Sequence, residues 1–242
     1  MSIERPDEDP LRILVVTAHP DDVDFGAAGS VAVWTAQGAE VSYCIVTDGD
    51  AGGWDPEMER AEIPRIRRAE QTAAAALVGV EELIFLGYPD GRLEASLDLR
   101  RDLARVIRQV RPHRVVCQSP ERLWEVIFAS HPDHLAAGEA VLCAVYPDAR
   151  NPFAFPELAA AGYEPHVVAE VWIMATPRPD RFVDVTETFE RKLAALRCHA
   201  SQGTDRDGRL AERMRTGLTA NAERAGLEPG RLAEAFAVVR TG

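Results

Sequence analysis

Residues 13–17 of this chain read Ile-Leu-Val-Val-Thr, and after Ala18 the apolar run stops at His19-Pro20-Asp21-Asp22. A stretch of β-branched and apolar residues with little alternation suits a strand covered on both faces, as strands of parallel sheets are. In open parallel sheets ligands collect beyond the carboxyl ends of the strands. The residues that end this run therefore stand where such folds build their sites. The run spans 11–17, and others recur at 41–47, 83–86, 114–117, 167–174 and 235–239. Between them lie segments with helical spacing, near 27–37, 58–79, 97–110, 132–146, 186–199 and 207–226. That alternation predicts an α/β fold, a Rossmann-like three-layer sandwich with a mostly parallel central sheet.

A chain of 242 residues buries enough apolar surface to form one domain without staples. We expect a single domain over 1–242, with residues 1–10 a polar, acidic tail and the proline-rich stretch 147–156 a long loop. Cys44, Cys117, Cys143 and Cys198 are scattered and show no C-x-x-C spacing, the pattern of reduced thiols in a cytoplasmic protein. The first residues lack the basic start and apolar centre of a signal peptide, and no apolar run is long enough to span a bilayer. A net charge of −12 disfavours nucleic acid and membrane as partners, because both are bound through basic surface. Lys192 is the only lysine among 27 basic residues, read here as compositional bias without functional meaning.

A second cluster, Ser130-His131-Pro132-Asp133-His134, repeats the His-Pro-Asp theme where a helix is expected to begin. Pro132 suits the first helical position, and side chains at i and i+3 share a helix face. His19 and Asp22 are also three apart, on a tight turn. Two histidines and a carboxylate, with a fourth position left to water, are the pattern of catalytic rather than structural zinc. Hydrolysis at such a centre also needs a base for the attacking water and a proton donor for the leaving amine. Asp21 is the candidate base and His131 the candidate acid; spacing alone leaves open the exchange of His131 and His134. The competing reading makes Asp21 or Asp22 a helix cap and His19 a packed core residue.

Other motifs carry less. Gly26 and Gly29 follow the first strand, but G-x-G-x-x-G is absent, so their expected task is close helix-to-sheet packing. No G-x-S-x-G elbow and no P-loop is present. Thr47-Asp48-Gly49 follows the second strand, which makes Asp48 either a substrate contact or part of an ordinary Asp-Gly turn. Arg67 and Arg68 sit on a predicted helix beside Glu70, where solvated charge is the plain expectation.

These residues together resemble the PIG-L/LmbE-like zinc de-N-acetylases, which include the deacetylases of mycothiol and bacillithiol metabolism. The resemblance rests on Ala18-His19-Pro20-Asp21-Asp22, Thr47-Asp48-Gly49, Arg67-Arg68-Ala69-Glu70, Tyr88-Pro89-Asp90-Gly91, His131-Pro132-Asp133-His134 and His199-Ala200-Ser201-Gln202. It implies His19, Asp22 and His134 as zinc ligands, Asp21 as general base, and His131 as the group that stabilises the oxyanion or protonates the amine. It further implies that Arg67 and Asp90, with Arg68 as a substitute, meet the sugar. Many members carry Glu directly after the paired aspartates; here Val23 stands there, followed by Asp24, as in the bacillithiol-type branch. Support that this Glu would lend the metal must come from elsewhere.

The expected activity is metal-dependent removal of an N-acetyl group from a small N-acylated amino sugar, giving acetate and a free amine. Zinc is the expected cofactor, with Fe2+ or another divalent ion able to use the same ligands. The rivals are an amidase that releases a larger acyl group from a thiol conjugate or natural-product intermediate, and a non-catalytic sugar- or metal-binding protein. Aromatic residues around Trp124–Phe128 and Phe153–Phe155 are candidates to line the pocket or an interface of a homo-oligomer.

Overall fold

The computed structural model describes residues 10–55 and 57–241, so most of the expected N-terminal tail lies outside the described residues. Seven strands form the sheet: β1 Arg12–Thr17, β2 Glu40–Thr47, β3 Glu82–Tyr88, β4 Arg114–Gln118, β5 Glu170–Met174, β6 Arg181–Asp184 and β7 Ala233–Arg240. Their order is β3-β2-β1-β4-β5-β7-β6. The first five in that order pair in parallel, while β7 runs antiparallel to both β5 and β6. The order reverses at β1, which pairs with β2 on one side and β4 on the other. A crevice opens at such a switch point, beyond the carboxyl ends of the two strands.

Eight α-helices accompany the sheet among the described residues: α1 Asp22–Gly26, α2 Ala28–Ala36, α3 Ile63–Leu77, α4 Leu97–Val110, α5 Pro132–Cys143, α6 Pro156–Ala160, α7 Phe189–Arg197 and α8 Leu210–Arg224. The near-unbroken apolar run of β1 is explained by cover on both faces. Leu14 and Val16 pack with Leu99 and Leu103 of α4 and Ala137 and Val141 of α5. Ile13 and Val15 pack on the opposite face with Val31 of α2, Ala74 of α3 and Ala195 of α7. The three layers expected from the alternation are thus present. Gly26 and Gly29 pack as expected: a Cβ on Gly29 would lie 2.8 Å from that of Val185.

The structure differs from the sequence reading at several places. The strand β6 has four residues and a half-exposed pattern at the sheet edge, too short to show a period. The helix expected to reach 146 ends as α5 at Cys143, and Tyr146 leaves helical conformation before Pro147, as residues preceding proline do. Lys192, which composition alone makes look like mere bias, is fully buried and donates to the carbonyls of Asp24 and Phe25 and to Glu234. The reason is local: α1 ends beneath the switch point with carbonyls that lack intrahelical partners, and an ammonium satisfies them.

Candidate metal centre

Beyond β1 the chain turns so sharply that Asp21 takes φ 86°, a left-handed conformation that Asp tolerates better than most residues. Gln71 of α3 accepts the Asp21 backbone N–H at 2.7 Å and holds this turn. Asp21 occupies the cap position of α1, yet its side chain makes no capping bond. Its carboxylate instead meets Arg67 Nη2 at 3.1 Å. The Asp22 carboxylate turns back and accepts the His19 N–H at 2.7 Å. Beyond β4, the 3₁₀ turn at Ile127–Ser130 delivers α5, whose first residue is Pro132 and whose cap is His131.

Side chains from these two strand ends converge. His19 Nδ1 lies 3.3 Å from His134 Nε2 and 3.3 Å from Asp22 Oδ2, and His134 Nε2 is 3.0 Å from Asp22 Oδ1. The outer nitrogens are held by acceptors. His134 Nδ1 donates to the Ala129 carbonyl at 3.1 Å, while His19 Nε2 faces Asp90 Oδ1 at 3.0 Å and Asp133 Oδ2 at 3.2 Å. With both rings neutral and their protons on these outer nitrogens, two imidazole lone pairs and a carboxylate would face each other with no hydrogen to share. A cation relieves that arrangement. Ligands ~2.0–2.1 Å from a tetrahedral ion stand roughly 3.3 Å apart, which is the spacing observed, so the donor set fits a divalent metal.

The titration behaviour has the same cause. Burial disfavours a charged His19, but the attraction of Asp22 and hydrogen bonds to Asp133, Asp22 and Asp90 outweigh it and push its pKa up to about 12. His134 is raised as well, with burial opposed by Asp22. Burial acts against the charge of Asp22, yet His134 and His19 hold its carboxyl well below the usual range. The cluster is built to hold positive charge. Asp21 differs: burial raises its pKa to about 6, against the pull of Arg67.

His131 stands beside this cluster, its ring centroid 5.0 Å from that of His19. Its Nδ1 accepts the Asp133 N–H at 3.2 Å, so the neutral ring carries its proton on Nε2. Burial and the neighbouring His19 lower its pKa. A nitrogen of each of His19, His131 and His134 lies within 4.8 Å of the others.

The remaining sequence candidates are placed in two groups. Arg67 is buried, donates to the carbonyls of Pro20 and Gly49, and lies 4.0 Å from Asp90, so it braces Asp21 and the surrounding loops. Asp90 reaches His19, as described above. Asp48 and Arg68 pair with each other, Nε to Oδ1 at 3.1 Å, and the guanidinium stacks over Phe85. That pair is not brought into the histidine cluster; Asp48 borders a separate depression with Gly87 and Tyr88.

Sequence reasoning gave no role to four residues that support the site. Asp133 holds His19 and accepts the N–H groups of Gly91 and Leu93; its place between the two named histidines was an available signal. Gln71 follows Arg67 by one helical turn, the spacing that puts both on one face of α3. It donates to Asp24 Oδ2 at 2.9 Å, and the same oxygen meets His199 Nε2 at 2.8 Å. Asp24 and His199 are fully buried, and this chain of contacts stands behind the loop that carries His19 and Asp22, on a residue two places after Asp22.

Residues 14–145 match the family model described as PIG-L, GlcNAc-PI de-N-acetylase. A diacetylchitobiose deacetylase of Thermococcus kodakarensis is 34% identical over 83% of this chain and 73% of its own length. A 4-oxalmesaconate hydratase of Pseudomonas putida is 31% identical over 78% of this chain and 73% of its own. Among solved structures, an N,N'-diacetylchitobiose deacetylase from Pyrococcus horikoshii in complex with an inhibitor superposes with a TM-score of 0.88 at 30% identity, covering 99% of this chain and 87% of the other.

Proposed function

This chain belongs to the PIG-L family of GlcNAc-PI de-N-acetylases, and on that premise we propose that it hydrolyses the N-acetyl amide of a small glucosamine-type compound, releasing acetate and a free amine. The observation that carries the reading is the convergence of His19, Asp22 and His134, with the raised carboxyl of Asp21 directly beside them. His19, Asp22 and His134 would hold one divalent metal, for which zinc is our assignment. Such an ion polarises a carbonyl and lowers the pKa of water towards neutrality.

The chain's own groups supply the proton transfers. Asp21, held by Arg67 and by the Gln71 contact to its backbone, takes the proton of the attacking water on a carboxylate oxygen. A carboxyl group with a pKa near the working pH is a better base than an ordinary, more acidic one. The water oxygen bonds to the amide carbon. As the carbon–nitrogen bond breaks, the proton held by Asp21 passes to the leaving nitrogen, while the neutral His131 donates a hydrogen bond from Nε2 to the oxyanion. Asp133 keeps His19 oriented through Nε2 and fixes the His131 ring through its backbone N–H.

Among the described residues no helix is long and apolar enough to cross a membrane. The four cysteines are free thiols, which supports our assignment of the reaction to the cytoplasm.

The test is acetate release by zinc-loaded protein from N-acetylglucosamine and its glycosides, with Asp21→Asn as the comparison. Loss of a general base typically removes about 10²–10⁴-fold in rate. We expect that loss with stoichiometric metal retained. Full activity in the Asn variant would refute the role of Asp21, and silence of the wild type across the glycosides, with hydration of an oxo-acid instead, would refute the deacetylase.

A further inference from the structure

One cavity of about 770 Å³ has Asp21, Asp22 and His134 in its wall. That volume lies within the range of sites that take a drug-sized ligand. The rest of the wall comes from α1, the ends of β4 and β5 with the loop after β5, the start of β7, the loop before α5, and α8. It includes Phe25, Phe128, Met174, Pro177, Met214 and Leu218. Phe25 and Phe128 are 42% and 82% exposed, large apolar groups that a monomer gains nothing by leaving in water.

The charges along this wall, apart from those at the metal, are few. Glu234 is in it, but its carboxylate is engaged by Lys192 and by the N–H groups of Gly29 and Ser30. Arg224 and Glu125 remain, one of each sign. A dicarboxylate or phosphate substituent would therefore meet one cation and one repelling acid. A burial-driven contact faces no such conflict, since unpaired polar groups lose affinity on desolvation.

Resting on the deacetylase reading, we infer that the substrate is an N-acetylated amino sugar bearing a neutral apolar substituent, aryl or alkyl, which lies between Phe25, Phe128, Met174, Met214 and Leu218. The amide is addressed at the Asp21, Asp22 and His134 end, and the apolar substituent supplies binding energy away from the reacting atoms.

Acetate release by the zinc-loaded protein is compared for N-acetylglucosamine and its phenyl, hexyl and carboxymethyl glycosides. Binding of the matching phenyl glucosaminide is followed in parallel by calorimetry at several temperatures. The expected result is kcat/KM at least about tenfold higher for phenyl and hexyl glycosides than for the free sugar, the scale of a few buried methylenes. Binding of the amine should show a negative heat-capacity change, the mark of apolar burial. In Phe128→Ser and in Met214→Ser, both preferences should shrink several-fold; Phe128 is so exposed that its replacement leaves the core intact.

Equal turnover of all glycosides, or preference for the carboxymethyl compound, would overturn this inference and leave the deacetylase standing. No acetate from any compound, with calorimetric binding still lost in the variants, would overturn the deacetylase and support the apolar site. Neither acetate nor binding would overturn both. Self-association that buries Phe128 and excludes the glucosaminide would also overturn the inference.

Discussion

Asp133 reaches His19 across the switch point of the sheet, Oδ2 to Nε2 at 3.2 Å, although 114 residues separate them. This contact turns the other ring nitrogen, Nδ1, towards Asp22 and His134. Asp133 itself is fixed by the N–H groups of Gly91 and Leu93 in the loop after β3. The loops after β1, β3 and β4 are therefore joined at one carboxylate.

Carboxylates that orient a metal-binding histidine typically contribute 10–100-fold to affinity. Asp133→Asn should weaken zinc binding by about that factor, measured by competition with a chromophoric chelator, with the fold retained by circular dichroism. Unchanged affinity would mean that Asp90, at 3.0 Å from the same nitrogen, orients His19 alone.

The acid limb of the rate profile should follow Asp21. Burial raises its pKa to about 6, so the group is protonated below that pH and the base is lost as pH falls through it. Arg67 acts in the opposite sense by stabilising the carboxylate. In Arg67→Gln the limb of kcat/KM should accordingly move to higher pH. A limb that stays in place, or moves down, would show that another group governs the acid side.

Lys192 and Glu234 form an ion pair of 2.7 Å, each nearly or fully buried. Removing one partner of such a pair typically costs about 3–5 kcal/mol, because the other is left charged and uncompensated. Lys192→Met should lose stability on that scale by urea unfolding, with Tm lower by roughly 10 °C for a chain of this size. Adding Glu234→Gln should restore part of it, since the amide oxygen still accepts from Gly29 or Ser30 while the stranded charge is gone. A single variant within about 1 kcal/mol of the parent would contradict this account.

Gly138 lies on the face of α5 that meets the end of β4. A Cβ there would stand 2.9 Å from Pro120 N and closer still to the Gln118 carbonyl. Backbone cannot yield as a flexible side chain does, so Gly138→Ala should cost about 1–3 kcal/mol. Because α5 carries His134, metal affinity should fall with it. Intact affinity alongside lost stability would show that α5 shifts without moving its first turn.

Much of the site was legible because it sits at chain breaks that composition marks. An apolar run ending in His-Pro-Asp-Asp, and a proline-started helix ending its first turn in His134, mark the candidate residues locally. The helices α4 and α5 also begin where the sequence reading put them, the latter because Pro132 suits the first helical position. The short edge strand β6 and the one-turn helix α6 gave no comparable signal, since four or five residues hold too little of any period.

Sequence by itself determined the α/β layering and named the candidate metal ligands, because both readings draw on periodicity and residue type near one another in the chain. The tertiary structure decided which atoms face which. Whether His131 or His134 turns towards Asp22, that Arg67 braces Asp21, and that Asp133, Gln71 and Asp24 support the loop depend on strands 100 residues apart lying side by side. The solitary lysine is the plainest case. Composition made it look incidental, and only the packing of α7 beneath α1 gives its ammonium three oxygen partners.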